Sequence, residues 1–230
     1  MIAPLETRSL GCQRQTQEGF HSVSIRFAPG SFSVLTGNAD ASRLLWRVLG
    51  LLESHDEGEL FLHGSPTGRI GPEALEQLRN RHCGYLFSTP FLLPSLSVLE
   101  NVAMPLFKLA HIDPSIAEER MHELLGFVDL HQLAHECVSS LSPAQQLHVA
   151  LARSICHHPA VLMVEKLDLQ LPQPGMMKFT ELLQSAARQW NIAVIASATA
   201  WNGPGRILTL NEGRCLTEES GKSTPSDPIP

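Results

Sequence analysis

No run of about 18 consecutive apolar residues occurs in this 230-residue chain, so no membrane-spanning helix is expected. The N-terminus also lacks a basic segment followed by an apolar one, so no export leader is expected. Any membrane association should therefore be peripheral. There is no block of Lys and Arg, and the formal net charge is -6 at pH 7. Neither a nucleic-acid partner nor a patch for anionic lipid is expected from that balance. The five cysteines (Cys12, Cys83, Cys137, Cys156 and Cys215) are odd in number and contain no CxxC pair. That usage fits reduced thiols in a cytosol better than a disulfide framework. Internal repeats are absent as well. What is present is a globular composition, 43% hydrophobic, on a chain long enough to bury a substantial core.

The hydrophobic pattern switches repeatedly between period two and period 3.6. "VSIRF" (Val23 to Phe27) alternates, Pro29-Gly30 turns the chain, and "SFSVLTG" reads as a strand. Residues 41–52 place Leu44, Leu45, Val48, Leu49 and Leu52 on one helical face. "GELFLHG" (58–64) and "CGYLFS" (83–88) read as strands, with a helix over 72–80 that has proline in its first turn. Ser97 and Glu100 form a capping box for a helix beginning "SVLENVAMPLF". Residues 114–135 look helical and more polar, and a strong helix runs from Ser142 to about His157 into the apolar strand "AVLMVE". A helix (174–190), the strand "IAVIAS" (192–197) and a hairpin around Asn211-Glu212-Gly213 close the pattern. Strands alternating with helices predict an α/β fold with a largely parallel, buried sheet and an inserted helical lobe at about 90–140. One domain is expected over 1–216, and the polar, proline-rich stretch 217–230 is expected to be a disordered tail.

The segments "VLTG", "GYLFSTPFLLPSLSVLENVAMPL" and "LSPAQQLHVALARSICHHPAVLMVE" follow one another in an order that resembles the ATP-binding subunits of ABC transporters. The wording is most similar to the subfamily serving lipoprotein release, macrolide export and cell-division permeases, and the resemblance covers about residues 22–216. It implies a P-loop NTPase-like nucleotide-binding domain, a permease partner, and ATP with magnesium at defined positions. Those positions depart from the family pattern. The phosphate loop of the family reads GxxxxGK[ST], whose glycines admit backbone N–H groups to phosphate and whose lysine neutralises charge. Aligned from Gly37 without a gap, Ser42 stands at the second glycine, Arg43 at the lysine and Leu44 at the magnesium-binding hydroxyl. Aligned backwards from Gly50, the loop is two residues short, Ala41 stands at the lysine and Ser42 keeps the hydroxyl. The second alignment preserves the helix's apolar face and is preferred. Asp40 is expected to cap the helix N-terminus and fill the anion site from within.

Elsewhere the resemblance puts Ser88 where the family has its glutamine, Glu165 and Lys166 at the acidic pair, and Ala198 at the switch histidine. Glu165 can still approach a metal, but a protonated Lys166 has no free electron pair with which to act as a base. Pro172 aligns with the aspartate of the dimer-facing loop, and no adenine-stacking aromatic is evident in "SLGCQRQ". In the signature "LSPAQ", Pro143 lacks an N–H, and the simplest duty of Ser142 and Gln145 is a capping box around it. His131, His135 and Cys137 in "HQLAHEC" form no supported zinc set, and a solvated helix end is the expected reading.

What stays intact is the stretch the family packs beneath its permease. Phe91, Leu92, Leu93, Leu96 and Met104 are the candidate partner-facing residues, with Val98, Val102 and Leu106 assigned to the core. The expected function is that of a pseudo-ATPase homologue, cytoplasmic and peripheral on the inner face of the membrane. It would dock on an integral-membrane permease and pair as a homodimer or with another ABC ATPase subunit. No catalytic residue, metal or cofactor is then expected. The alternatives are a working ATPase subunit with divergent motifs, which would need ATP and magnesium, and a soluble scaffold.

Overall fold

The computed structural model describes residues 2–14, 17–108 and 114–220. Strands β1 (Leu5–Arg14), β2 (Gln17–Val23), β3 (Arg26–Phe27) and β4 (Phe32–Gly37) precede helix α1 (Ala39–Leu49). Next come β5 (Glu57–Leu62), β6 (Ser65–Pro66), α2 (Pro72–His82) and β7 (Cys83–Leu86). Helices α3 (Val98–Lys108) and α4 (Pro114–Phe127) follow, and then α5 (Pro143–Ile155) and β8 (Val161–Val164). The chain continues through α6 (Gly175–Trp190), β9 (Ala193–Ser197), β10 (Arg206–Asn211) and β11 (Arg214–Ser220).

Two sheets result. The larger has the order β11-β10-β4-β9-β8-β7, parallel from β10 to β7 with β11 antiparallel at one edge. The smaller is antiparallel, β2-β1-β5-β6, with β3 pairing β1. Successive residues of the parallel strands point to opposite faces, and both faces are buried. Val34, Leu162, Val164, Val194 and Ala196 join a cluster with α3, α4, α5 and α6. Leu35, Val161, Met163, Ala193 and Ile195 join a second cluster with α1 and the antiparallel sheet. Helix α1 is therefore sandwiched, which is why its apolar face extends to the fully buried Trp46.

The sequence expectations hold for the central elements and need correction elsewhere. Helix α1 begins at Ala39 rather than at residue 41. The helix expected over 114–135 stops at Phe127, because Asp129 turns left-handed (φ 56) and Leu130 N–H bonds back to the Leu125 carbonyl at 2.8 Å. His131–Leu133 is a separate 3-10 turn, so His131 and His135 share no α-helical face, and no metal-binding cluster occurs among the described residues. The tail expected from Thr217 is paired in β11 as far as Ser220, while 221–230 lie outside the described residues. Burial pushes the thiols of Cys83 and Cys156 up to about 12, and both are free.

Gly84 marks the closest approach of sheet and helix. A Cβ there would lie 2.0 Å from the Ser154 carbonyl oxygen. Gly84→Ala is expected to cost about 1–3 kcal/mol by forcing α5 off β7. Chemical denaturation checks this, and an unchanged midpoint would contradict the packing of these two elements.

Candidate functional site

The parallel strands end on one edge of the sheet, and β4 lies between β10 and β9 where the chain direction of the connections reverses. In open α/β sheets that edge is where ligands sit. Here β4 ends at Gly37 (φ 98), whose backbone passes so close to β10 that a Cβ would fall 2.1 Å from the Leu210 carbonyl oxygen. A single residue, Asn38, separates strand from helix. Its N–H donates to Leu210 O at 2.9 Å. Its side-chain Oδ1 accepts from the N–H groups of Asp40 and Ala41, both at 3.0 Å.

The helix cap is thus Asn38, which corrects the assignment of that role to Asp40. Asp40 stands in the first turn, where its carboxylate pairs with Arg43 at 2.8 Å on a half-exposed surface, a contact of little energetic weight. Ala41 is completely buried in the core. Ser42 is buried too, and its hydroxyl donates to the Thr36 carbonyl at 2.7 Å. Leu44 packs in the core beside them.

The neighbouring strand ends complete the rim. Glu165 accepts through Oε2 from the Ser88 N–H at 3.1 Å and the Ser88 hydroxyl at 2.9 Å, which ties β8 to β7. Lys166 is left-handed (φ 47), and its N–H donates to the Ser197 hydroxyl at 2.9 Å. Ala198 is 7% exposed, and its N–H bonds Leu35 O at 3.0 Å. A cavity of about 120 Å³ is lined by Asp40, Ser42, Arg43, Glu165, Lys166 and Ala198, among others. Two carboxylates and two cations line it, and the Glu165 carboxylate, directly after β8, already receives both Ser88 donors. Ser142 and Gln145 stand apart from this cavity. They close the expected capping box at the start of α5, with Pro143 at its first position.

Three residues at the site escaped the sequence reading. Asn38 is signalled by an asparagine directly after a strand-ending glycine. Trp46 donates to Ile195 O at 3.3 Å beneath the turn and meets the edge of Phe87, consistent with its place on the apolar side of α1. Asp168 has no signal, because its role depends on a distant segment: Oδ2 accepts from Thr199 N–H at 2.9 Å.

The candidate partner-facing residues divide. Phe91, at φ 47, is 65% exposed and Leu93 is 42% exposed. Leu92 is partly buried against the larger core, Leu96 is half-buried, and Met104 lines a separate cavity beside β7 and α5. The loop is held from below by Asn101, which is wholly buried. Its side chain accepts from Leu93 N–H at 2.8 Å and donates to the carbonyls of Leu93, Leu96 and Ser97 at 3.1, 3.3 and 3.0 Å.

A parallel sheet with a helix N-terminus at its reversal point, backed by an antiparallel sheet and helices, is the architecture of a nucleotide-binding cassette. The ABC transporter family model matches residues 20–165, and the chain belongs to that family. The lipoprotein-releasing system ATP-binding protein LolD of Paramagnetospirillum magneticum is 32% identical over 182 residues, 78% of this chain and 80% of that protein. The LolD of Pseudomonas syringae pv. tomato is 31% identical over 226 residues, 93% and 97% of the two chains. Among solved structures, CbiO1 of Clostridium perfringens, part of the ABC transporter complex CbiONQ, superposes with a TM-score of 0.84 at 17% identity. The alignment covers 96% of this chain and 90% of that one. The ATP-binding cassette MJ0796, dimeric and bound to ADP and Pi in a post-hydrolysis state, gives 0.75 at 21% identity over 96% and 100%. At those identities the two structures speak for the fold alone.

The cap predicts a graded response. Asn38→Ala should lose about 1 kcal/mol of stability, whereas Asn38→Gly should lose only a few tenths. Urea unfolding of both variants measures the difference, and equal midpoints would remove Asn38 from the capping role.

Proposed function

We propose that this chain is an ABC-type subunit that docks on an integral-membrane permease and supports or regulates transport without hydrolysing ATP. The observation that carries this reading is the turn at Asn38. A helix N-terminus binds phosphate through unpaired N–H groups and a positive dipole end. Here those of Asp40 and Ala41 are already bonded to the Asn38 side chain. The hydroxyl that would face magnesium is committed to Thr36 O, and no lysine rises from the turn. These residues do not fit a magnesium-bound triphosphate.

The water-activating position adds to the case. Lys166 offers no acceptor for a proton, Ser88 and Ala198 stand where the resemblance expects a glutamine and a histidine, and Glu165 is engaged by Ser88. Loss of one such group costs roughly 100-fold or more in comparable roles. The docking half of the reading rests on Phe91 and Leu93, large apolar side chains left exposed on a loop that Asn101 holds rigidly. The chain is then peripheral on the cytoplasmic face and pairs with itself or with another cassette.

A second reading, a working ATPase with divergent motifs, is favoured by the LolD relatives, which bear the name of ATP-binding proteins. Hydrolysis separates the two. The purified chain should release phosphate from ATP no faster than a blank. Magnesium-dependent turnover on the order of one per second, abolished by Glu165→Gln, would sink the pseudo-ATPase reading in favour of the second. Docking has its own test. Leu93→Glu should fold as the wild type does and fail to co-sediment with membranes, and undiminished co-sedimentation would remove Leu93 from the docking face.

A further inference from the structure

Histidines from three segments meet at the edge of the parallel sheet opposite the strand ends that carry the candidate site. His63 turns left-handed (φ 48) directly after β5, and its ring stacks on that of His82, the last residue of α2. The ring centroids are 4.7 Å apart and the planes 13° apart. His157 and His158 follow α5, and His158 is also left-handed (φ 54). His63, His82 and His158 line one cavity of about 480 Å³ beside Trp190, and none of its lining residues is acidic. His157 donates through Nε2 to the Cys83 carbonyl at 3.1 Å, which ties the end of α5 to the first residue of β7. Its Nδ1 is buried without a hydrogen-bond partner.

These contacts favour neutral rings. Two imidazolium ions stacked face to face repel one another, and a proton on His157 Nδ1 meets no acceptor. Burial lowers the pKa of His82 below the ordinary histidine value, and the charges of His63 and Arg81 lower it further. Burial also lowers His157, as do the charges of His158, Arg120 and His82, against the opposing pull of the Cys83 carbonyl. His158 is lowered by burial and by Arg120, with Glu123 acting the other way. The remaining neighbours bring little relief. Arg153 lines the same small cavity as His157, and the Cys83 and Cys156 thiols are held protonated by burial. The Glu123 carboxylate is already bonded to Arg120 at 2.6 Å and to Trp190 at 3.0 Å.

We propose that His63, His82, His157 and His158 form a proton-operated latch: neutral, they hold the turn after β5 and the ends of α2 and α5 against the start of β7, and on acidification they release it. The latch goes beyond the docking reading and stands without it. Because β7 runs from His82 to Leu86, two residues before Ser88, release frees the base of the strand that feeds the exposed loop. Above about pH 6.5 the rings are neutral whether the latch is closed or open, and protons play no part. As pH falls through that value, the open form takes up protons that the closed form resists, and closure weakens until pH reaches the lowered values. Each ring that wholly resists its proton shifts the balance toward the open form by about tenfold per pH unit.

The test follows amide hydrogen exchange of the full chain at about pH 7.5 and about pH 5.5, corrected for the intrinsic rate at each. Amides of residues 60–64 and 80–86 should lose protection by about tenfold or more at the lower value, while those of β9 and β10 keep theirs. His148, whose pKa burial also lowers, stacks on Phe179 and belongs to neither segment. His82→Gln combined with His157→Gln puts amides that do not titrate in place of two rings and keeps a donor near the Cys83 carbonyl. It should match the wild type at the higher pH and lose less than about threefold at the lower one. His63→Asn, on a turn whose left-handed backbone asparagine accepts, removes only the stacked ring. It should raise the pKa of His82, read from the ring-proton resonances. Equal protection of the wild type at both pH values overturns the latch, as does a double variant that loses as much as the wild type. Protection lost evenly over the whole sheet assigns the acid response to global unfolding and overturns it too. If the double variant does not fold, His63→Asn decides, and an unmoved His82 titration overturns the proposal.

Discussion

At Gly37 the backbone of β4 runs against β10 without room for any side chain, and the whole upper edge of the parallel sheet is arranged around that contact. Because Asn38 N–H bonds the Leu210 carbonyl, the chain has turned into α1 within one residue. The helix therefore starts low, against the sheet. Ser42 can then reach back to Thr36 O, Ala41 falls into the core, and the Trp46 indole settles over Ile195 O. A loop able to wrap a phosphate needs several backbone N–H groups converging on open space. At this tight turn the amide side chain of Asn38 takes the N–H groups of Asp40 and Ala41, beside a cavity of about 120 Å³.

The same economy recurs at other helix starts. Helix α3 begins with the Ser97–Glu100 box, in which Ser97 N–H reaches the Glu100 carboxylate at 2.8 Å and Glu100 N–H returns to the Ser97 hydroxyl at 3.2 Å. Helix α5 begins with Ser142 and Gln145 in the same exchange. Three helix starts named by the sequence as ligand or partner territory thus have N–H groups bonded to their own side chains.

Much of this was legible in the sequence because it depends on short-range pattern. "AVLMVE" and "IAVIAS" read as buried strands and are so, since a strand covered on both faces shows an unbroken apolar run. Both capping boxes were legible for the same reason. Strand β1 was not. Its residues Leu5–Arg14 pair irregularly, with Ser9 left-handed and a register shift between Arg8 and Gly11 that breaks the alternation on which a strand reading depends. Asp40 was taken for the cap because asparagine and aspartate cap equally well and helix starts are uncertain by a residue or two. Only the position of Leu210, far away in sequence, decides between them. The corrected boundary of α4 turns on one left-handed Asp129, a residue type that tolerates that conformation without announcing it.

The segment from Ser88 to Ser97 joins the candidate site to the exposed apolar loop, and its attachments differ in kind. Asn101 holds Leu93, Leu96 and Ser97 from a wholly buried position, where leaving a polar atom unpaired is most costly. Arg153 holds Pro90 and Phe91 from a half-buried one. Ser88 is held by Glu165 at the rim, where water competes for every bond. Holding strength therefore declines from the docking loop toward the site. In a cassette that hydrolyses nucleotide, the site end must respond to the ligand and the loop end must carry the response outward. Here the loop end is anchored by a buried amide and a guanidinium, and the site end by hydrogen bonds at the rim. The shape of the loop is therefore set chiefly by the anchors beneath Leu93, Leu96 and Ser97, and least by the contact at Ser88.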